Sequence, residues 1–373
     1  MKLVNLFAVN TDATRLTAME GLRAYAAIIV YILHMLGQFV NSRLGINFDK
    51  TTLLELSKEN PEYLPFYWLW SSHYGVDIFF LLSGYLIVGM VNKKDFHYGR
   101  FIFHRFLRIY PTLIVSTLMY VLYGMIVHGE AFWLGGVVGN LLLLNGISGL
   151  NFPAINVVTW SLFFEFSFYF IFPILWRLCR RDLAKFTLLI LIILIPLLFI
   201  SPSYMRYLMF VAGVFLKVIS ESNLSKIRSI FTEWQIIIIY LISTLLFVYT
   251  KNYILFISLY FFTSFLFVDR ALNFRGALYH LLSLRVLRFF GNISFSFYLF
   301  HPLGLIISKS VLFELNIQNN YSYLLLFFII SLIITTIIST ACFVLIEQQY
   351  FKNKKRFDFI FNYFFRSPKI KPS

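Results

Sequence analysis

Ten apolar runs, most of them close to the length needed to cross a bilayer, dominate this sequence of 373 residues. A hydrocarbon core about 30 Å thick needs about 20 residues of helix, and a helix satisfies its own backbone hydrogen bonds in lipid. The runs therefore predict an all-α integral membrane fold, with about ten transmembrane helices in one bundle. The predicted spans are residues 22–40, 66–91, 107–128, 157–176, 186–201, 203–219, 234–249, 253–268, 289–312 and 321–346.

The composition agrees with a membrane protein and argues against several other classes. Hydrophobic residues make up 59% of the chain and charged residues 13%, a balance that a soluble core of this size cannot hide. The formal charge of +15 does not indicate nucleic acid, because the Lys and Arg residues separate apolar runs instead of forming one patch. Cys179 and Cys342 suggest neither a disulfide framework nor a metal site. No signal-peptide pattern opens the chain, so the first run is expected to remain as a helix.

The distribution of positive charge predicts the orientation of the helices. With the N-terminus inside, 26 of the 32 Lys and Arg residues fall on the cytoplasmic side, and the opposite topology reverses this asymmetry. Both termini are therefore predicted to be cytoplasmic, with a transmembrane domain at 1–350 and a basic cytoplasmic tail at 351–373. The residues left on the outer side are Arg43, Lys50, Lys58, Arg206, Lys251 and Lys309.

Residues 129–156 contain apolar stretches but no Lys or Arg, and the stretches are interrupted by Gly135, Gly136, Gly139, Gly146 and Gly149. A complete span here would invert every later loop and destroy the charge asymmetry. The segment is therefore predicted to be re-entrant or interfacial on the outer side of the membrane.

Polar side chains inside the spans are the main functional candidates, because an ionisable group costs about 2.5–3.5 kcal/mol at a helix centre. In the first span Arg23 and His34 are eleven residues apart, about three turns, so they share one face roughly 16 Å apart. Snorkelling to the inner interface explains Arg23 alone equally well. The fourth span places Ser161, Glu165 and Tyr169 four residues apart, on one inward face.

The second and ninth spans carry two further candidates. Asp77 lies too deep for easy hydration, so a partner such as Arg23 or a histidine is expected, in a structural or a catalytic pair. His301 lies about 18 Å above the inner edge if its helix begins near Phe289. This depth is similar to that of His34.

Charged and aromatic groups differ between the two membrane faces. Arg105 and Arg108, three residues apart at the inner face, suit phosphate oxygens, although orientation charge and lipid contact explain them as well. On the outer side His73, Trp133 and Asn151 offer aromatic and polar groups for gripping a neutral sugar. Interfacial anchoring is the alternative explanation for such aromatic residues.

Five sequence blocks together resemble the bacterial membrane acyltransferase-3 family, and they extend over almost the whole chain. Some members of that family carry an additional extracytoplasmic hydrolase-like domain, which this sequence does not show. One departure is Glu20, where an Asp is common. The blocks are the Arg23-x10-His34 helix, GVDIFFLLSGYLI at 75–87, HRFLRIYP at 104–111, WSLFFEFSFYF at 160–170 and NISFSFYLFH at 292–301.

The resemblance implies a membrane O-acyltransferase of the bacterial inner membrane that uses cytoplasmic acyl-CoA, with acetyl the favoured acyl group. The acceptor would be a hydroxyl of a carbohydrate or glycolipid, and no cofactor would be permanently bound. His34 is suited to the base role, because its ordinary pKa lets it take a proton near neutral pH. Direct transfer and a transient acyl-histidine both remain open. The predicted catalytic set is Arg23, His34, Asp77, Glu165 and His301.

Three rival functions fit the same sequence less well. A transporter or flippase predicts repeat symmetry and paired broken helices, and neither is visible. An unrelated membrane O-acyltransferase fold that uses a His and an Asn leaves the Arg23-x10-His34 helix unexplained. A purely structural membrane protein leaves the buried ionisable groups without a role.

Overall fold

The computed structural model describes residues 17–45, 55, 58–61, 74–150, 152–219, 221–249 and 253–365. Within these ranges the regular structure is helical throughout. The α-helices are α1 (Thr17–Leu44), α2 (Tyr74–Val91), α3 (Tyr98–His128), α4 (Leu134–Leu141), α5 (Trp160–Leu178), α6 (Leu183–Ile200), α7 (Tyr207–Val218), α8 (Glu221–Ile230), α9 (Glu233–Tyr249), α10 (Tyr253–Asn273), α11 (Ala277–Leu282), α12 (Arg285–Asn292), α13 (Ser294–Glu314), α14 (Asn320–Cys342), α15 (Gln348–Lys352) and α16 (Lys354–Phe365).

Each predicted span overlaps at least one helix of the described residues, but the predicted number of about ten spans is not confirmed. In the described part of the chain, seven helices are long and apolar enough to cross a membrane. The number is eight if residues 202–218 and helix α8, which lie at 110° to each other, count as one broken span. The segments predicted at 203–219, 234–249 and 253–268 are not among the seven, which include α1, α2, α3, α5, α6, α13 and the continuous stretch from α14 to α15.

The outer surface of the bundle is apolar, as expected for helices that face lipid. Phe199 on α6 is 89% exposed, Ile126 on α3 is 80% exposed and Leu178 at the end of α5 is 70% exposed. Large apolar side chains that project from most of these helices would be unfavourable in water, at about 25 cal/mol per Å². The fold is that of a multi-pass membrane protein.

Helices α2 and α7 approach each other closely at two glycines. A Cβ atom at Gly84 would lie 2.1 Å from the Phe210 carbonyl oxygen, and one at Gly213 would lie 1.9 Å from the Leu81 carbonyl oxygen. Small residues allow membrane helices to pack backbone against backbone, where dispersion contacts replace the hydrophobic effect. This contact fixes α2, which carries part of the site, against the bundle.

Helix α13 lies beside α1, and its start differs from the sequence-based expectation. A break at Ile293 separates α12 from α13, so α13 begins at Ser294 and not near Phe289. His301 is therefore seven residues into its helix, about 10 Å along the axis. The predicted rise of about 18 Å assumed a helix that begins near Phe289, and that assumption was wrong, because an apolar run does not reveal a break between two helices.

The segment 129–156 does not form a span, as its lack of Lys and Arg predicted. It contains the short helix α4 and a 3-10 turn at Leu144–Gly146. The buried Asn140 holds the segment together, because its amide donates to the carbonyls of Gly136 and Pro153 and accepts from the Ile155 amide.

The C-terminal helix α16 packs back on α3. Asp358 accepts hydrogen bonds from Arg100 at 2.6 Å and from His104 at 2.7 Å. The Arg100 guanidinium, followed by His104, holds the pKa of the Asp358 carboxyl below its usual range. Part of the tail predicted at 351–373 is thus an ordered, docked helix, while residues 366–373 lie outside the described ranges.

Candidate active site

Two histidines from different helices meet inside the bundle. The ring centres of His34 on α1 and His301 on α13 are 5.1 Å apart. His301 is fully buried, and the ring of Tyr31 lies edge-on to it at 6.3 Å. The prediction that both histidines reach a similar depth is confirmed.

The hydrogen bonding of His301 fixes which ring nitrogen is free. Its Nδ1 lies 3.3 Å from the carbonyl oxygen of Phe297, which can only accept, so Nδ1 carries the hydrogen. In the neutral ring Nε2 then has a free lone pair. This atom is buried and has no hydrogen-bond partner among the described residues. His301 is thereby prepared to accept a proton or a hydrogen bond at Nε2.

A narrow chamber of about 80 Å³, the polar cavity, lies close to this histidine pair. Tyr298, one of its lining residues, has its ring centre 5.9 Å from that of His301. The Tyr298 hydroxyl is bonded to Ser161 at 2.9 Å and to the Val158 carbonyl at 3.0 Å. The polar lining consists of Arg23, Ser83, Arg105, Arg108, Ser161, Glu165, Tyr169 and Tyr298.

The predicted face of α5 does line the polar cavity. Glu165 accepts hydrogen bonds from Ser83 at 2.9 Å and from the Tyr169 hydroxyl. Across the cavity, Arg23 donates to the Ser294 hydroxyl at 3.1 Å. The arginine therefore does not merely extend to an interface, since its guanidinium is held inside the bundle.

A second chamber, the basic cavity, has a volume of about 430 Å³ and shares Arg105 and Arg108 with the polar cavity. Arg105 lies over the rings of Phe101 and Tyr169 at 5.2 and 4.9 Å. Arg108 lies over Phe351 at 5.7 Å. The two arginines predicted to bind an anion thus lie between the two cavities and line both of them. The remaining charged lining is Lys93, Asp95, Arg100, Lys354 and Asp358, with His97 and His104.

On the other side of the histidine pair lies the aromatic cavity, about 520 Å³ in volume. His34 forms part of its wall, and Trp133, which is 73% exposed, stands at its edge. Of the three residues predicted to bind an acceptor, only Trp133 is described, since His73 and Asn151 lie outside the described residues. Sequence reasoning missed the other polar lining residues, which are Gln38, Tyr120, Tyr123, His128 and Glu130.

Asp77 is not paired as predicted. Its carboxylate forms an ion pair with Arg206 at 2.7 Å, and the Arg206 guanidinium lies over the Trp160 ring at 5.1 Å. The expectation of a partner for Asp77 is therefore confirmed, but the candidates Arg23 and a histidine were wrong. Charge counting assigned Arg206 to the outer loops, and only the three-dimensional fold brings it to α2.

Glu347 is a buried acid that the sequence reasoning did not single out. It ends a π-helical turn at Phe343–Glu347, and its carboxylate accepts from the Ser296 amide at 3.1 Å and from the Ser296 hydroxyl. π-turns are frequent at functional sites. An available signal was the position of Glu347, an acid directly after an apolar run of more than 20 residues.

The described residues contain no group of three or more His, Cys, Asp or Glu side chains placed to hold a metal ion. Cys179 and Cys342 are both free thiols. The arrangement instead offers a base, several guanidinium groups, a polar cavity beside the histidine pair and an aromatic cavity that His34 lines. Such a set suits proton transfer coupled to attack by a hydroxyl.

Comparison with known families gives one match over most of the chain. Residues 16–344 match a family model described as an acyltransferase domain. This range contains both histidines, the polar cavity and the arginines that separate it from the basic cavity.

Two curated relatives match parts of the sequence. Acyltransferase MdmB from Streptomyces mycarofaciens is 31% identical over 181 residues, which cover 45% of this chain and 41% of the relative. Peptidoglycan O-acetyltransferase OatA from Listeria monocytogenes is 32% identical over 130 residues, covering 30% of this chain and 21% of the relative. The chain thus spans less than half the length of either relative. No solved structure matches it.

Proposed function

The chain belongs to the acyltransferase-3 family, and from this premise we propose that it moves a short acyl group, acetyl, from cytoplasmic acyl-CoA to a hydroxyl of a cell-envelope or exported carbohydrate. The observation that carries the proposal is the histidine pair, which lies between cavities of opposite chemistry. The name of the Listeria relative, a peptidoglycan O-acetyltransferase, supports acetyl as the group and a glycan as the acceptor. The proposed site of action is the bacterial inner membrane.

The donor is proposed to enter through the basic cavity. Acyl-CoA carries phosphates at one end and an uncharged thioester at the other, so it needs cations at the entrance and a narrow, less charged channel beyond. Arg105 and Arg108 stand at the junction, where they can bind the diphosphate. The thioester would then pass Glu165 and Arg23 and reach the histidine pair.

The transfer step uses the histidines as the base. The acceptor hydroxyl gives its proton to a neutral histidine nitrogen, and its oxygen attacks the thioester carbonyl carbon. The C–S bond breaks, the thiolate of CoA leaves, and the histidine returns the proton to the sulfur. Arg23 offers N–H groups to the carbonyl oxygen, which becomes negative during the attack. A transient acyl-histidine uses the same residues in two steps.

The aromatic cavity is proposed to hold the acceptor. His34 lies in its wall, so a hydroxyl bound there can reach the base directly. Trp133 offers an apolar ring face for a sugar, while Gln38 and Glu130 offer directional hydrogen bonds. No Lys or Arg is found among the described lining residues, which suits a neutral acceptor better than an anionic one.

The test measures thiol release from acetyl-CoA by purified protein in lipid nanodiscs, with and without peptidoglycan fragments as acceptor. The wild type should release CoA, with label from the acetyl group appearing on the fragments. His34→Ala should bind acetyl-CoA normally but release no thiol above background. Binding without any His34-dependent release, by a folded protein, would contradict the proposal and favour the transporter interpretation.

A further inference from the structure

The basic cavity extends well beyond the two arginines that the proposed function uses. Its volume of about 430 Å³ is within the range of about 300–1,000 Å³ that holds nucleotide-sized ligands. Arg105 and Arg108 lie at the end that it shares with the polar cavity. Lys93 and Lys354 line only the basic cavity and are exposed. The cavity therefore has an inner and an outer cationic end.

The cations at the two ends differ in how far they are already engaged. Arg100 is paired with Asp358 at 2.6 Å, and Arg105 donates to the sulfur of Met90 and packs on aromatic rings. Lys93 and Lys354, by contrast, make no ion pair with any described residue. Two uncommitted ammonium groups outweigh the single unpaired carboxylate on this wall, that of Asp95. Such a pair suits a doubly charged phosphate monoester at an exposed rim.

Lys354 is held in place by the fold of the C-terminal segment. It is the first residue of α16, which Asp358 ties to Arg100 and His104 on α3. Phe361 further along α16 contacts the ring of His97, with ring centres 5.6 Å apart. These contacts place the lysine at the cavity rim, although residue 354 lies beyond the range that matches the family model.

Part of the lining of the basic cavity is aromatic. Phe96, Tyr350 and Phe351 belong to it, and planar rings of this kind provide stacking surfaces for a purine base. A ligand that matches this lining would therefore carry a diphosphate, a purine base and a separate phosphate monoester. Adenosine 3′-phosphate 5′-diphosphate, the nucleotide half of CoA, has this chemistry.

We propose that Lys93 and Lys354 bind the 3′-phosphate of the donor nucleotide, so that the C-terminal segment helps the protein distinguish acyl-CoA from donors without that phosphate. The inference rests on the proposed function, since it assumes a CoA thioester as the donor. It adds two specificity-determining residues at the entrance to the site.

The experiment compares acetyl-CoA with 3′-dephospho-acetyl-CoA as donors, with free thiol as the readout, in nanodiscs of neutral phosphatidylcholine. The wild type should favour acetyl-CoA by about tenfold in kcat/KM, a modest factor because the rim is exposed and screened by salt. Lys93→Ala and Lys354→Ala should each raise KM for acetyl-CoA about threefold, and together they should remove the preference. None of these variants should change kcat or the rate with the dephospho donor.

Two controls separate phosphate binding from damage to the helix. Lys355→Ala removes a neighbouring exposed lysine that does not line the cavity, and it should keep the full preference. Lys354→Gln keeps most of the side-chain stem and should raise KM for acetyl-CoA about threefold, as Lys354→Ala does. If Lys355→Ala also lowers the preference for acetyl-CoA threefold, general surface charge attracts the donor and no specific phosphate site is needed.

A direct measurement of nucleotide binding tests the role of the two lysines without any need for turnover. Adenosine 3′,5′-bisphosphate should bind the wild type more tightly than adenosine 5′-monophosphate, and the Lys93→Ala/Lys354→Ala variant should bind both equally. Equal binding by the wild type would overturn the inference even if acetyl-CoA is a good donor. Lysine-dependent binding of phosphatidylglycerol with no preference for the bisphosphate would also overturn it, because the phosphate would then be that of a lipid headgroup.

Discussion

The basic cavity and the aromatic cavity have similar volumes, about 430 and 520 Å³, but opposite chemistry. Five Lys and Arg side chains line the first, and none is found among the described residues that line the second. The polar cavity and the histidine pair lie between them. The difference indicates that charge, not size, sorts what enters each chamber, since an anionic ligand is stabilised on one side only.

The two cavities are also covered differently. On the aromatic side the cover is the largely irregular segment 129–156, fixed internally by Asn140. On the basic side it is α16, fixed to α3 through Asp358. Both covers lie outside the long helices, so substitutions in them can change what is bound without disturbing the histidines.

The largest effect is expected at the histidine pair, between the basic and the aromatic cavity. Replacing His34 or His301 with Ala should lower acyl transfer by about 10²–10⁴-fold, the range that general acid–base catalysis supplies. Donor binding should stay within about threefold, because neither side chain lines the basic cavity. Thiol release measures the first effect and calorimetric titration with acetyl-CoA the second. If acyl transfer and donor binding fall together in a variant whose size-exclusion elution profile is unchanged, the histidines also contribute to donor binding, and the two cavities do not act separately.

Substitution of Arg105 and Arg108 is expected to have a large effect on donor binding alone. Arg105→Ala/Arg108→Ala should weaken acetyl-CoA binding about 10–100-fold, which corresponds to a loss of about 1.5–3 kcal/mol of charge-assisted contact to phosphate. The loss should be greater at low salt than at high salt, because salt screens such contacts in the wild type. Titrations at two salt concentrations provide the measurement. If the affinity does not change, Arg105 and Arg108 do not bind the donor and serve only as positive charges that set the orientation of the protein in the membrane.

The positions of many helices and the side chains that share a helix face could be predicted from the sequence, because both depend on residues close together along the chain. The shared helix face of Ser161, Glu165 and Tyr169 follows from helical spacing alone. The same local reasoning leaves the number of spans unconfirmed, because shorter apolar helices such as α7 and α9 resemble full spans in an apolar run.

Tertiary contacts were beyond the reach of such reasoning. Asp77 meets Arg206, which is 129 residues away in sequence, and spacing along a helix carries no information about such a pair. Glu347 was missed because an acid at the end of an apolar run resembles an ordinary interfacial residue until its bonds to Ser296 are seen. Whether His73 and Asn151 bind the acceptor stays a prediction.

A smaller effect on turnover is expected at Asp77, which was predicted to be catalytic but lines none of the three cavities. Removing one member of a buried pair costs about 3–5 kcal/mol of stability, so Asp77→Asn should lower the thermal midpoint and the yield. Turnover per folded molecule should stay within about threefold. The double variant Asp77→Asn/Arg206→Gln should recover part of the stability. A stable Asp77→Asn protein with turnover lowered a hundredfold would instead place Asp77 in the catalytic step.

The smallest effect is expected at the edge of the aromatic cavity, at Trp133. Because its ring is 73% exposed, Trp133→Ala removes one apolar face and should raise the KM for a glycan acceptor about three- to tenfold. Acetyl-CoA hydrolysis in the absence of acceptor should not change, because water needs no ring to position it. Leu134→Ala is the matched control, since Leu134 is 75% exposed beside Trp133 but does not line the cavity.

The two readouts for Trp133 decide between acceptor binding and anchoring at the membrane interface. An anchor would affect the whole fold, so hydrolysis and transfer would fall together and Leu134→Ala would behave in the same way. A ring that contacts the acceptor affects transfer alone, and Trp133→Phe should restore most of it because the aromatic face is kept. If neither readout responds to Trp133→Ala, the acceptor does not use this edge, and the other side of the cavity at Gln38 becomes the place to look.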